Sequence, residues 1–300
     1  LHLRKQLGEI MTNRPRRSVL YMPGANAKVL EKAKTLPCDA IIMDMEDAVA
    51  PEMKQIARET IAAALAGGGY GAREIIIRTN GINTEYFKDD LKMAVAAKPD
   101  AILVPKIESK AEVLSIDAQI RELNNGQSID IWAMIETPRA ILDIFNICSA
   151  AQTTPFKALV MGTNDLAKET GAILDVERAP FLYALSAAIN GAKCFKMAVI
   201  DGVFNDIQNM DGYEWQCNQG KAFGFDGKTL IHPSQIEKCN EIFAPKPEEV
   251  AYARAIVVAF ADPENAGKGV LKVEGKMAEI LHRDMALKTI AIAEAIEAMQ

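Results

Sequence analysis

Two acidic side chains, Glu136 and Asp165, stand just beyond apolar runs that follow one another in the chain, Ile129 to Ile135 and Ala158 to Met161. Neither has a histidine or cysteine companion. Two carboxylates on neighbouring rigid supports suit a hard divalent cation such as Mg²⁺, which takes oxygen ligands and keeps positions for water or substrate oxygens. A lone Glu or Asp in such a place is more often a helix cap, but Thr137 and Pro138 already supply a cap and a first helical residue after Glu136. The coincidence of both acids at consecutive run ends is what points to a metal.

Other run ends carry charge too. Glu46 and Asp47 follow Asp44 at the end of Ala40 to Met45, giving three acids in four residues. Asp47 as cap of a helix starting near Pro51 explains one of them, not all, and such charges beside a core are costly without partners. Arg78 leaves the run Glu74 to Ile77, and a buried arginine normally has acidic partners, for which these acids are the natural choice. Lys106 follows Ala101 to Val104 and has two readings. A desolvated lysine can form a Schiff base with a carbonyl substrate, and phosphate or carboxylate binding explains it as well. Asn26 reads as a helix cap or a ligand contact, and His232, before Pro233-Ser234, as an acid–base group or a structural hydrogen bond.

The elements that position these residues form a regular series. With Ser18 to Met22, Lys196 to Ile200 and Gly224 to Ile231, the runs number eight, each of strand length. Stretches such as Ala27 to Thr35, Glu52 to Ala66, Ser109 to Leu123 and Arg178 to Lys193 lie between them and read as helices. Strands separated by whole helices pair in parallel, and eight β/α units match the number that closes a (β/α)8 TIM barrel, with a doubly wound open sheet as the alternative. The expected organisation is an N-terminal extension over 1–15, a barrel over 16–244 and a helical extension over 245–300, with helices at Pro245 to Ala261 and Gly275 to Met299 joined by Asp262 to Glu274. Met11 offers a native start, which would leave the residues before it as an upstream extension.

Composition sets outer bounds. At 300 residues, 49% hydrophobic and 25% charged, the chain can bury one barrel core. A net charge of −6 argues against a nucleic-acid or acidic-membrane partner. Five scattered cysteines fit reduced thiols used as core filler, and no apolar stretch reaches membrane-spanning length, so a cytoplasmic enzyme is expected. The run Gly67 to Gly71 lacks the setting of a phosphate loop and reads as a flexible connection.

From Arg16 to the C terminus the chain resembles the HpcH/HpaI aldolase and citrate lyase β-subunit family, in particular its CoA-thioester branch of malyl-CoA and citramalyl-CoA lyases. The resemblance rests on Arg16-Arg17-Ser18 with Pro23-Gly24, Asp44-Met45-Glu46-Asp47-Ala48-Val49, Arg78-Thr79-Asn80-Gly81, Pro105-Lys106-Ile107-Glu108-Ser109, Ile135-Glu136-Thr137, Gly162-Thr163-Asn164-Asp165-Leu166 and Gly224-Phe225-Asp226-Gly227-Lys228-Thr229-Leu230-Ile231-His232-Pro233. It implies a Mg²⁺-containing barrel in trimers or hexamers, whose C-terminal region is a lid over a neighbouring subunit. It also implies cleavage of a malyl-, citramalyl- or citryl-CoA thioester into an acyl-CoA and a 2-oxo acid. Glu136 and Asp165 would hold Mg²⁺, and the backbone around Gly162, Thr163 and Asn164 would orient the acid. Arg78 would stabilise the enolate, held by Glu46 and Asp47, and Arg17, Tyr21, Lys28 and Lys106 would meet CoA. Where relatives place a lid aspartate as base after a Gly-Lys-Met run, this chain reads Gly275-Lys276-Met277-Ala278-Glu279, so Glu279 or Asp284 would take that place. Two further readings stand beside this one: a citrate lyase-type subunit served by an acyl carrier protein, and a Schiff-base aldolase through Lys106.

Overall fold

A computed structural model describes residues 14–299, so most of the expected N-terminal extension and the Met11 start lie outside the described residues. The chain divides into two compact units, one over Arg16–Phe243 and the other from Ala244 onward together with the described residues before Arg16.

The first unit is a closed barrel of eight parallel strands in chain order. These are β1 (Ser18–Pro23), β2 (Ala40–Asp44), β3 (Glu74–Arg78), β4 (Ala101–Val104), β5 (Asp130–Ile135), β6 (Phe156–Met161), β7 (Ala198–Asp201) and β8 (Gly227–Leu230). β8 closes the ring on β1 through Ser18↔Lys228 and Leu20↔Leu230. The helices that follow the strands are α1 (Ala27–Ala33), α2 (Lys54–Gly67), α3 (Phe87–Ala97), α4 (Lys110–Leu123), α5 (Pro138–Leu142), α6 (Ile144–Cys148), α7 (Thr163–Thr170), α8 (Leu182–Cys194), α9 (Met210–Phe223) and α10 (Ile236–Phe243). Caps expected from the sequence are present. Asn26 accepts from the Val29 amide at 3.3 Å and Thr137 from the Ala140 amide at 3.2 Å, whereas Ala50, not Asp47, flanks the 3₁₀ turn at Pro51. His232 likewise takes its structural role, accepting from the Ser234 amide at 3.2 Å.

Alternation along the strands sorts side chains between two cores. Val19, Ala40, Ile42, Ile76, Ala101, Leu103, Trp132, Met134, Ala158, Val160, Ala198 and Ile200 fill the barrel interior, where alanines leave room for the Trp132 ring. Leu20, Ile41, Ile77, Ile102, Ile135 and Leu159 face outward and pack under the helices. The amino end of the barrel is closed by two ion pairs. Arg16 meets Glu74 at 2.6 and 2.8 Å and lies over the Trp132 ring, and Arg17 meets Asp39 at 2.7 and 2.8 Å.

The β7–β8 ladder is short, with two register pairs, and a buried charge network stands behind it. Asp201 accepts from Arg178 at 2.6 Å and from Lys228 at 3.0 Å, and Lys228 also donates to the Gly202 carbonyl at 2.5 Å. All three charged side chains are buried, so each depends on the others for the polar contacts that water would otherwise make.

The second unit, from Ala244 onward, differs from the all-helical expectation. α11 (Pro247–Ala261) and α12 (Ile280–Glu297) are joined through an antiparallel hairpin, β9 (Val270–Val273) with β10 (Lys276–Glu279). Glu274 and Gly275 both have positive φ, 47° and 83°, the signature of a two-residue primed turn. Leu271, Val273 and Ala278 pack with Ala253, Ile256 and Ala286 in a core of the unit's own. Gly275 is therefore in the turn and Lys276 to Glu279 are strand, not helix, and the last helix starts after Glu279.

Candidate active site

Inward parity continues past the apolar interior. Two residues beyond Ile42, Ile76 and Met134 stand Asp44, Arg78 and Glu136, so the same alternation that fills the barrel carries these groups to its carboxyl-end mouth. Asp44 and Arg78 are also register partners on adjacent strands. Arg78 grips Asp44 through both carboxylate oxygens, at 2.6 and 2.7 Å, and its remaining nitrogen lies 3.0 Å from Glu46 and 3.2 Å from Asp47. The Tyr21 ring lies beneath the guanidinium, 4.8 Å from its carbon. Burial works to raise the Asp44 carboxyl, but the Arg78 charge and hydrogen bonds, with the amides of Glu46 and Ala48, outweigh it and hold the group below the usual carboxylate range. For Glu46 the balance reverses. Burial, then the neighbouring acids Asp47, Glu136 and Asp44, lift it to about 8 against the pull of Arg78.

Asp44 is thus the principal anchor of Arg78 among the three acids the sequence offers, where the resemblance implied Glu46 and Asp47, which also reach the guanidinium. The signal was present, since Asp44 shares the parity of Ala40 and Ile42, but three clustered acids conceal which one faces the arginine.

Across the mouth, Glu136 is fully buried, and Asp165 follows on the first turn of α7, partly exposed. Gly162 makes room for the pair, because a Cβ at that position would collide with the Glu136 side chain. Burial, then the Asp165 charge, push the Glu136 carboxyl up to about 7, although the Lys106 amide donates to it at 2.8 Å. The Lys106 ammonium lies 3.2 Å from Asp165. Burial alone would lower that ammonium, but the hydrogen bond and charge of Asp165 outweigh it and hold it above its usual range. A Schiff base needs a neutral amine, so this setting argues against the Lys106 aldolase reading. Among the described residues no three or more His, Cys, Asp or Glu side chains are grouped to hold a metal. A cation between Glu136 and Asp165 would have two hard oxygen donors and complete its shell with water or substrate oxygens, as Mg²⁺ commonly does. The crowding that keeps a proton on Glu136 is what a divalent charge relieves, so these residues fit the ion.

A cavity of about 300 Å³ joins the two halves, lined by Tyr21, Arg78, Met134, Glu136, Asp165 and Asn205 among others. Gly162, Thr163 and Asn164 also line it. Asn205, which the sequence did not single out, exchanges hydrogen bonds with Asn164 at 2.7 and 3.2 Å. Its loop after β7 is held by Gln235, which donates to the Phe204 carbonyl at 3.1 Å, and by Lys228 on Gly202. No local pattern announces this pairing, since it joins the first turn of α7 to a loop 41 residues away.

The structure separates the residues expected to meet CoA. Arg17 precedes β1, at the opposite end of the barrel, and is spent on Asp39, which removes it from the site. Tyr21 lies inside the cavity under Arg78, not on an outer CoA surface. Lys28 is exposed on the first turn of α1, and Lys106 is half-exposed at the mouth. Glu279 belongs to the second unit, where its amide donates to His282 Nδ1 at 2.9 Å as α12 begins, and Asp284 pairs with Arg283.

Residues 17–233, the span that builds this barrel and both halves of its mouth, match the family model described as HpcH/HpaI aldolase/citrate lyase. The chain belongs to that family. Within the HpcH/HpaI family it is similar to the (3S)-malyl-CoA thioesterase of Cereibacter sphaeroides, 41% identical over 95% of this chain and 97% of the relative. It is also similar to the mitochondrial citramalyl-CoA lyase of Homo sapiens, 31% identical over 94% of this chain and 87% of the relative. The CitE protein of Mycobacterium tuberculosis, solved in complex with magnesium, acetoacetate and coenzyme A, shares the fold with a TM-score of 0.73 at 24% identity, covering 94% of this chain and 99% of that one. No helix among the described residues is long and apolar enough to cross a membrane.

Proposed function

We propose that this enzyme of the HpcH/HpaI family is magnesium-dependent and acts on a 3-hydroxyacyl-CoA thioester of the malyl, citramalyl or citryl class. The observation that carries the reading is a guanidinium fixed by three carboxylates on one side of the mouth, facing a carboxylate pair on the other. Glu136 and Asp165 would hold Mg²⁺, which when bound draws electron density from the carboxylate and adjacent oxygen of the acid part of a substrate.

Arg78 is held in the cavity, because Asp44 grips one edge of its guanidinium through Nε and Nη2 while Nη1 lies against Glu46 and Asp47. It is therefore preorganised to donate to a thioester carbonyl oxygen as that oxygen gains charge, the arrangement that contributes most in such sites. Two bond cleavages draw on this. In hydrolysis, a base takes a proton from water as its oxygen adds to the thioester carbonyl carbon, Arg78 stabilises the oxyanion, and the carbon–sulfur bond breaks to release the CoA thiolate, which takes up that proton. In carbon–carbon cleavage, a base removes the 3-hydroxyl proton, the bond between C2 and C3 breaks, and its electron pair becomes the thioester enolate, whose oxygen Arg78 stabilises. Glu46, protonated up to about pH 8, keeps a proton beside the reacting centre. The base is assigned to Glu279 by resemblance alone.

Hydrolysis takes first place, supported by four malyl-CoA thioesterase relatives at 40 to 41% identity. Carbon–carbon cleavage is second, supported by the citramalyl-CoA lyase at 31%. Incubating the purified chain with Mg²⁺ and (3S)-malyl-CoA separates them. Hydrolysis releases free thiol and no glyoxylate, whereas cleavage releases glyoxylate and acetyl-CoA without thiol. If malyl-, citramalyl- and citryl-CoA all stay intact, the proposal in its stand-alone form is wrong, and turnover of a citryl-carrier protein only would assign the chain to an assembly.

A further inference from the structure

Lys106 touches both halves of the carboxylate pair, and by different means. Its backbone N–H donates to Glu136 Oε1 at 2.8 Å, and its ammonium lies 3.2 Å from Asp165 Oδ1. The residue has φ of 54°, a left-handed conformation that side-chain-bearing residues seldom adopt. That conformation fixes the main chain just past β4. The two contacts therefore differ in permanence. The amide is set by a buried strand end, whereas the side chain is 49% exposed on a flexible four-carbon stem, and an ion pair so open to water is weak and easily exchanged.

A divalent cation and an ammonium drawn to the same carboxylate oxygen repel each other strongly. We propose that Lys106 is an exchangeable internal counter-ion. While no divalent cation is present its ammonium neutralises Asp165; the arriving cation displaces that ammonium into the mouth, and the backbone N–H goes on orienting Glu136. The released ammonium is then the cation that an anionic group of the substrate meets, so metal entry prepares the site for the thioester. This inference rests on the metal reading of Glu136 and Asp165.

The full chain is acetylated with a limiting amine-reactive ester, with and without saturating Mg²⁺, and modification of each lysine is read by peptide mass spectrometry. Mg²⁺ is expected to raise labelling of Lys106 about threefold relative to Lys28, the scale on which an exposed ion pair protects its partner. In calorimetry, Lys106→Met is expected to bind Mg²⁺ about threefold more tightly than the unsubstituted protein, since the internal competitor is gone. Unchanged or lower Lys106 labelling with Mg²⁺ bound overturns the exchange, as does equal or weaker Mg²⁺ binding by Lys106→Met. A protein that binds no Mg²⁺ loses the metal reading and this inference together, which keeps the two failures distinct.

Discussion

At the amino end of the barrel two arginines, Arg16 and Arg17, each meet one carboxylate through two short hydrogen bonds. At the carboxyl end Arg78 and Lys106 meet five carboxylates, Asp44, Glu46, Asp47, Glu136 and Asp165, while the nearby Lys54 ammonium is spent on the Met45 and Glu46 carbonyls. The same residue types serve different ends because of this balance. Matched pairs that cap a core give the structure nothing further to bind, whereas a surplus of negative charge in a partly closed cavity is costly until a cation arrives. The physical mark of the difference is that Glu46 and Glu136 hold protons to about pH 8 and 7.

The comparison breaks most visibly at Arg78. Arg78→Lys keeps the charge but loses the planar fork on Asp44, and kcat on the thioester is expected to fall by about 10²–10³, the usual loss when an oxyanion donor is removed, while calorimetry shows Mg²⁺ binding retained. Near-normal turnover would detach Arg78 from the reaction. Glu136→Gln and Asp165→Asn are each expected to abolish the Mg²⁺ binding heat and leave thermal unfolding cooperative; normal affinity in both removes the metal from this place.

Acidity sharpens the contrast. Below about pH 7 the metal-free Glu136 carboxyl holds a proton that Mg²⁺ must displace, so Mg²⁺ affinity is expected to drop up to tenfold per pH unit below that point and to level off above it. In the metal-free protein the sign for stability is the opposite. Both states are protonated well below the usual value of 4.5; between there and about 7 the unfolded chain ionises first, so this group lowers stability as pH rises through that window. Titrating Mg²⁺ at several pH values checks the first statement, and a flat affinity contradicts it.

The smallest kinetic effect belongs to the other end. Arg17→Ala leaves Asp39 without its fork and is expected to lower stability by about 1–3 kcal/mol in urea unfolding, with KM for the thioester unchanged. A raised KM in a properly folded variant would return Arg17 to the substrate site.

Much of this was legible in the chain because alternation is a local property. The runs ending at Asp44, Arg78 and Glu136 carry their charged groups at inward parity, and β/α periodicity alone orders the strands around the ring. What failed were features set by partners distant in sequence. Arg17 looks like an anion binder until Asp39 is seen to take it, and Asn205 finds Asn164 only after the β7 loop is brought against the start of α7. The hairpin at Gly275 was missed for another reason. Ala, Met and Lys around it favour helix, and only the positive φ of both Glu274 and Gly275 reveals the turn.

The two register pairs joining β7 to β8 make the shortest seam in the ring, and Asp201, Lys228 and Arg178 act there as a clasp. In kinetic terms this makes the seam the expected first point of opening. Slow exchange of strand amides with deuterium should be lost from β8 before the strands opposite it, and earlier still once Lys228→Met leaves the Asp201 charge short of a partner. Because Lys228 also holds Gly202 at the base of the Asn205 loop, each such opening would loosen one wall of the active site. The durability of the ring and the resting shape of the pocket would then share a single rate.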